Sequence, residues 1–136
     1  MIYIKKDTNN PILLQLTSTS VFAEFYFKFI NVMTNDVVYF VSTNMSGMIA
    51  TWDLFELEED STLLPNPEFT DNAPLCLISG QYEYYVISTN ELPIDLDEAK
   101  QMDIEDNYVA IGKMVVQILD NKINTIEAIS YNDMPI

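Results

Sequence analysis

The sequence predicts an all-β fold, an antiparallel β-sandwich of about seven or eight strands with long loops. Three observations carry that expectation. Short runs of aromatic and β-branched residues recur with turn signals at intervals of roughly 8 to 12 residues, as sandwiches require. Half of the 136 residues are apolar, at 49%, which is enough to bury one core, so the chain 1–136 reads as a single β-sandwich domain. Regular amphipathic helices between the strands, which a parallel α/β architecture needs, are missing from the pattern.

The elements follow in order. Ile2 to Lys5 and Ile12 to Thr17 read as two edge-like strands, and Asn9-Asn10-Pro11 between them reads as a turn, because paired Asn and a following Pro favour a turn over a ladder. The strongest β signal runs from Phe22 to Thr43. Ala23, Phe25, Phe27 and Phe29 alternate toward a core, while Glu24 and Lys28 share the half-wet side with Tyr26 and Ile30. Thr34-Asn35-Asp36 then makes a tight polar turn into Val37 to Val41, giving a hairpin. In Thr51 to Leu57, Trp52, Leu54 and Glu56 fall on one side and Asp53, Phe55 and Leu57 on the other, a ragged strand.

Glu58 to Pro74 contains Pro65, Pro67 and Pro74 among acidic and amide residues and reads as an extended loop suited to gripping a partner. Gly80 to Ile87 is a long strand with Tyr82, Tyr84 and Val86 on one face. The acidic stretch of residues 90–107 reads as a linker with one helical turn near Leu96 to Met102. Tyr108 to Leu119 and Ile123 to Tyr131, joined by Asp120-Asn121-Lys122, form a second hairpin. Within its first arm, Gly112 marks a bulge or a close backbone contact. The apolar ending Met134-Pro135-Ile136 suits docking into a neighbour.

Charge and composition restrict function. Twenty-one acidic residues against six lysines give a formal charge of -15, which disfavours a direct grip on nucleic acid. Arginine is absent, and with it bidentate recognition of phosphate. The chain has no histidine, the usual general acid or base near neutral pH and the commonest transition-metal ligand. A non-enzymatic protein with no cofactor and no catalytic or metal-binding residues is expected. The lone Cys76, in Pro-Leu-Cys-Leu-Ile, reads as a small buried hydrophobe in a chain folded in a reducing compartment. The amino terminus has no signal-peptide pattern, and no apolar run reaches the roughly 18 residues of a membrane span, so no membrane partner is expected.

Two carboxylate clusters invite chemistry. Glu56, Glu58, Glu59 and Asp60 form one, and the stretch from Asp95 to Asp106 forms the other. Asp95, Asp97 and Glu98 begin a calcium-loop spacing but have no glycine or distal glutamate in register, so solvated charge is the expectation for both clusters. Trp52, Tyr82, Tyr84 and Tyr85 are the aromatic residues with which a carbohydrate- or host-surface-binding module would line a groove.

Several strings, in order and spacing, resemble a known group. Ile-Tyr-Ile-Lys-Lys-Asp-Thr-Asn-Asn-Pro-Ile (Ile2 to Ile12), Phe-Tyr-Phe-Lys-Phe-Ile-Asn (Phe25 to Asn31), Trp-Asp-Leu-Phe-Glu-Leu (Trp52 to Leu57), Leu-Ile-Ser-Gly-Gln-Tyr-Glu-Tyr (Leu77 to Tyr84) and Ser-Tyr-Asn-Asp (Ser130 to Asp133) are similar to small virion proteins of tailed phages infecting Bacteroidota, including crAss-like phages. The likeness spans nearly the whole chain. It implies a β-sandwich building block of the virion, assembled in the host cytoplasm at the neck or tail ring, the head-fibre base or the capsid surface. The partners it implies are further copies of the chain and other virion proteins (capsid, portal and neck, tail or fibre). It carries over no catalytic residue.

Overall fold

The computed structural model describes residues 1–16, 24–43 and 53–117. Among them are eight strands in two sheets, with a single short α-helix and one 3-10 turn. The larger sheet takes β1 (Ile2–Ile4), β8 (Tyr108–Val116), β7 (Gly80–Thr89), β3 (Glu24–Asn31), β4 (Val37–Val41) and β6 (Phe69–Asp71), in that order. The smaller one pairs β2 (Asn9–Leu14) with β5 (Asp53–Glu58). The helix, α1 (Leu96–Gln101), lies between β7 and β8 in the chain.

The all-β sandwich expectation holds, with a difference in strand direction. The central pairs β3–β4, β3–β7, β7–β8 and the pair β2–β5 are antiparallel, but β1 runs parallel to β8, and β6 parallel to β4. Both exceptions are three-residue edge strands reached by crossovers, which do not impose the reversal that a tight hairpin does. The β3–β4 hairpin turns where the sequence places it. Asn31 Oδ1 accepts the Met33 and Thr34 N–H groups, and Asn35 sits at a φ of 64°, a left-handed conformation that Asn tolerates.

The expected turn at Asn9-Asn10-Pro11 is a correction: these residues open β2, paired with Glu58, Leu57 and Glu56, and the chain reverses one step earlier, with Asp7 at a φ of 58°. The buried Asn10 amide explains why. Its oxygen accepts the Lys5 N–H at 2.8 Å, and its nitrogen donates to the carbonyls of Lys5, Thr8 and Leu57, so the side chain closes the preceding turn from within the strand. Pro11 is tolerated because the Glu59 N–H to Thr8 carbonyl bond sets the ladder's phase and turns the Pro11 nitrogen away from β5.

A second correction concerns the loop from Glu58 to Pro74. It contains β6, which reads as loop in sequence because three residues are too few to show a period, and it is tied down by bridges Glu59–Leu75 and Pro65–Cys76. It is a structural crossover between the sheets rather than a free arm.

The main core fills the space between the sheets. Phe25, Phe27 and Phe29 of β3, Phe40 of β4, and Tyr82, Tyr84 and Val86 of β7 face Ile12, Phe55 and Leu57 of the smaller sheet. Phe27 and Phe55 meet edge-on across the interface, centroids 5.0 Å apart at 84°, a geometry that aromatic quadrupoles favour. Gly112 of β8 is the close backbone contact its position suggests: a Cβ there would lie 2.6 Å from the Tyr84 ring. The opposite face of the larger sheet carries a smaller cluster of Tyr26, Tyr39, Val41 and Ile87, covered by Ala99 of α1 with Leu92, Leu96 and Met102 beside it.

The sequence-based expectations for Phe22 and Ala23, Trp52, the turn at 120–122, the return strand at 123–131 and the ending at 134–136 lie outside the described residues.

Candidate functional site

Each acidic cluster contributes one carboxylate largely withdrawn from solvent, met by Lys6 of the β1–β2 turn in one case and by Lys28 of β3 in the other. This corrects the expectation that both clusters are wholly solvated. Burying a lone carboxylate costs several kcal/mol, so such a group needs a counter-charge and filled hydrogen-bond positions.

In the first cluster, Glu59 is that group. It sits at the bridge that follows β5, its side chain 0% exposed, and Lys6 Nζ lies 2.6 Å from Oε2. The Asp7 N–H donates to Oε1 at 2.8 Å and the Leu77 N–H to Oε2 at 3.1 Å, while Lys6 also donates to the Leu77 carbonyl at 2.7 Å. The knot therefore fastens the β1–β2 turn to the segment leading into β7. Burial works against the Lys6 charge, but the hydrogen bond and charge of Glu59 outweigh it and raise the ammonium pKa above its ordinary value. Cys76 is buried as expected. Its setting is less apolar than the sequence suggests, with Sγ 3.7 Å from Lys6 Nζ. Burial pushes the thiol pKa up despite the lysine, which disfavours the nucleophilic thiolate.

In the second cluster, Asp103, just after α1, reaches the outer face of the larger sheet. Lys28 Nζ of β3 donates to both carboxylate oxygens, at 3.0 and 2.9 Å, the Tyr39 hydroxyl of β4 donates to Oδ2 at 2.6 Å, and the Tyr108 hydroxyl of β8 donates to Oδ1. The lysine also stacks over the Tyr85 and Tyr108 rings, 4.5 and 5.1 Å from their centroids. Burial alone would raise the Asp103 pKa. The hydrogen bonds from Tyr108, Tyr39 and Lys28, with the Lys28 charge, more than reverse that and hold it below the usual carboxylate range. Burial drives the Tyr26 and Tyr39 phenols well above their ordinary pKa, with the charge of Asp103 adding to it, so both stay protonated donors.

The remaining candidates are engaged elsewhere. Asp95 caps α1, its Oδ1 accepting the Glu98 N–H at 2.9 Å, and Glu98 reaches back to the Ile94 N–H at 3.1 Å, a reciprocal arrangement that satisfies free donors at the helix start. Two of the three residues with calcium-like spacing thus serve the helix end. Among the described residues, no group of three or more Cys, Asp or Glu side chains is placed to hold a metal ion, and no helix is long and apolar enough to cross a membrane. Tyr82 and Tyr84 face the core, which removes them from any aromatic groove, whereas Tyr85 lies on the outer face over Lys28.

Two clefts flank α1. One, of about 670 Å³, lies between the end of β7 at Ser88 and Thr89 and the helix residues Glu98 and Gln101. The other, of about 640 Å³, lies between Leu96 and Lys100 on one side and Tyr39, Glu68 and Ile78 on the other. In the first, the Ser88 and Thr89 hydroxyls donate to the Asn107 and Glu91 carbonyls.

Sequence reasoning missed both lysine–carboxylate knots. Lys28 within a phenylalanine-rich strand was a usable signal, since a lone cation there needs a partner, but nothing local singles out Asp103, 75 positions away. Compared with family models, curated proteins and solved structures, the chain matches none of them.

Proposed function

We propose that this domain is a non-enzymatic structural component of a tailed-phage particle, acting through contacts with further copies of itself and with other virion proteins. The observation that carries the non-enzymatic part is where the polar chemistry is used. The carboxylates of Glu59 and Asp103 are each paired with a lysine, the buried Asp53 accepts the Leu16 N–H at 2.8 Å, and the Tyr26, Tyr39, Tyr82 and Tyr108 hydroxyls are bonded to main-chain carbonyls or to other side chains. Groups held this way maintain a shape. What the domain offers outward is side-chain surface, including the exposed Tyr3, Leu13, Met33, Leu64 and Ile111. Apolar side chains on an otherwise acidic exterior suit selective contact, because like charge keeps free copies apart until a complementary surface meets them. The particle itself is supported by the resemblance of the strings at 2–12, 25–31, 52–57, 77–84 and 130–133 to phage virion proteins. The neck or tail ring, the head-fibre base and the capsid surface all accommodate a sandwich of this kind.

The test is sedimentation of the purified full chain together with antibody labelling of particles by electron microscopy. Defined oligomers, or a fixed labelled position on the particle, support the reading. A chain that stays monomeric at high concentration and is absent from purified particles removes it.

A further inference from the structure

We infer that residues 90–107 form a strap over the outer face of the larger sheet that opens as a unit while the sandwich beneath stays folded. Its attachment is narrow. Leu92, Leu96, Ala99 and Met102 supply its apolar contacts with Tyr26, Tyr39, Val41 and Ile87, a cluster separate from the main core. Clefts of about 670 and 640 Å³ lie beside α1 among the described residues. A six-residue helix has little stability of its own, so its order depends on what it touches.

Side-chain polar contacts hold the strap to four strands: on β7 the Thr89 hydroxyl donates to the Glu91 carbonyl at 2.9 Å and meets Met102 Sδ at 3.0 Å, and the Ser88 hydroxyl donates to the Asn107 carbonyl at 3.4 Å. Asp103 binds Lys28 of β3, Tyr39 of β4 and Tyr108 of β8, and the Tyr26 hydroxyl donates to the Ala99 carbonyl at 2.7 Å. None of these contacts takes part in the ladders that join β3, β4, β7 and β8, or in the core between the sheets. Release of Asp103 lets water reach Lys28 and the tyrosine hydroxyls, and the sheet keeps all its own hydrogen bonds. A segment with few apolar contacts and a local latch belongs to the low-stability end of a folded domain. Opening uncovers Tyr26, Tyr39, Val41 and Ile87, an aromatic and aliphatic face absent from the closed surface.

The experiment is native-state hydrogen exchange on the full chain. The Ala99 and Met102 amides, bonded to the Asp95 and Glu98 carbonyls, report the strap, and the amides of the β3–β7 ladder report the sandwich. In the unaltered protein, strap amides are expected to exchange at least about 100-fold faster than the best-protected β3 and β7 amides. Asp103→Ala is expected to speed the strap amides by a further factor of about ten or more, the scale of losing hydrogen bonds to a charged group, and to leave the ladder amides slow. Equal protection of strap and ladder in the unaltered protein overturns the inference, and needs no variant that might fail to fold. A matching loss of protection in both regions on Asp103→Ala also overturns it.

Discussion

The two buried lysine–carboxylate pairs look alike in composition and differ in what completes them. Around Lys6–Glu59, the short contacts that remain are to main chain, the Asp7 and Leu77 N–H groups on the acid and the Leu77 carbonyl on the amine, and the side chains add only long contacts, the Ser61 hydroxyl at 3.5 Å and Cys76 Sγ at 3.7 Å. Around Lys28–Asp103 the remaining positions are filled by side chains, the Tyr39 and Tyr108 hydroxyls, with tyrosine rings against the ammonium. A knot tied to backbone fixes the path of the chain and is part of the sandwich. One tied to side chains fixes how a peripheral segment lies on a finished sheet. The burial agrees, since the Glu59 side chain is 0% exposed and that of Asp103 12%.

The comparison breaks most directly at Glu59. Glu59→Ala leaves Lys6 buried without a counter-charge and strands two N–H donors, so a loss of about 3 to 5 kcal/mol is expected in urea unfolding, within reach of a domain's whole stability. Asp103→Ala should cost less, about 2 kcal/mol in the same measurement, because Lys28 regains water once the strap lifts. If the two variants lose equal amounts, the distinction between a path-fixing and a peripheral knot fails.

Acid titration sharpens the same contrast. The folded-state pKa of Asp103 lies below its ordinary 3.8, so its contribution is complete above that value and is lost as pH falls through the lower folded one. The stability gap between the unaltered protein and Asp103→Asn should therefore be constant near neutral pH and shrink below about pH 4, read from denaturant midpoints at each pH. A gap that persists to the most acidic folded condition would mean that ionisation of Asp103 is not what holds the strap. The smallest expected effect is that of Tyr26→Phe, which removes the hydroxyl bond to Ala99 at 2.7 Å and keeps the ring, costing about 1 kcal/mol.

Local signals and long-range pairing divide what the sequence made legible. The alternation of Phe25, Phe27 and Phe29, the Asn35 turn, the Tyr82-Tyr84-Val86 face and the close contact at Gly112 each depend on neighbours in sequence or on strand period, and each was readable. The helical turn near Leu96 is capped by Asp95, three residues before Glu98, a spacing visible in the chain. The lysine partners of Glu59 and Asp103 come from 53 and 75 positions away, brought in by the fold, which no period encodes. Strand β6 failed for want of length, and Asn10-Pro11 failed because a buried amide made a turn-forming pair fit a ladder. The outer face deceived in another way: Tyr26 and Lys28 alternate with core residues and so read as half wet, until residues 90–107 cover them.

Pro11 has a bearing on the outer side of β2. Its nitrogen faces away from β5, and a further strand laid along that side of β2 would find no N–H to receive its carbonyl there. Extension of the smaller sheet past β2 is therefore disfavoured at one residue. Main-chain pairing on that side loses a donor at its centre, so side chains, which recognise a particular neighbour, carry more of any contact made there.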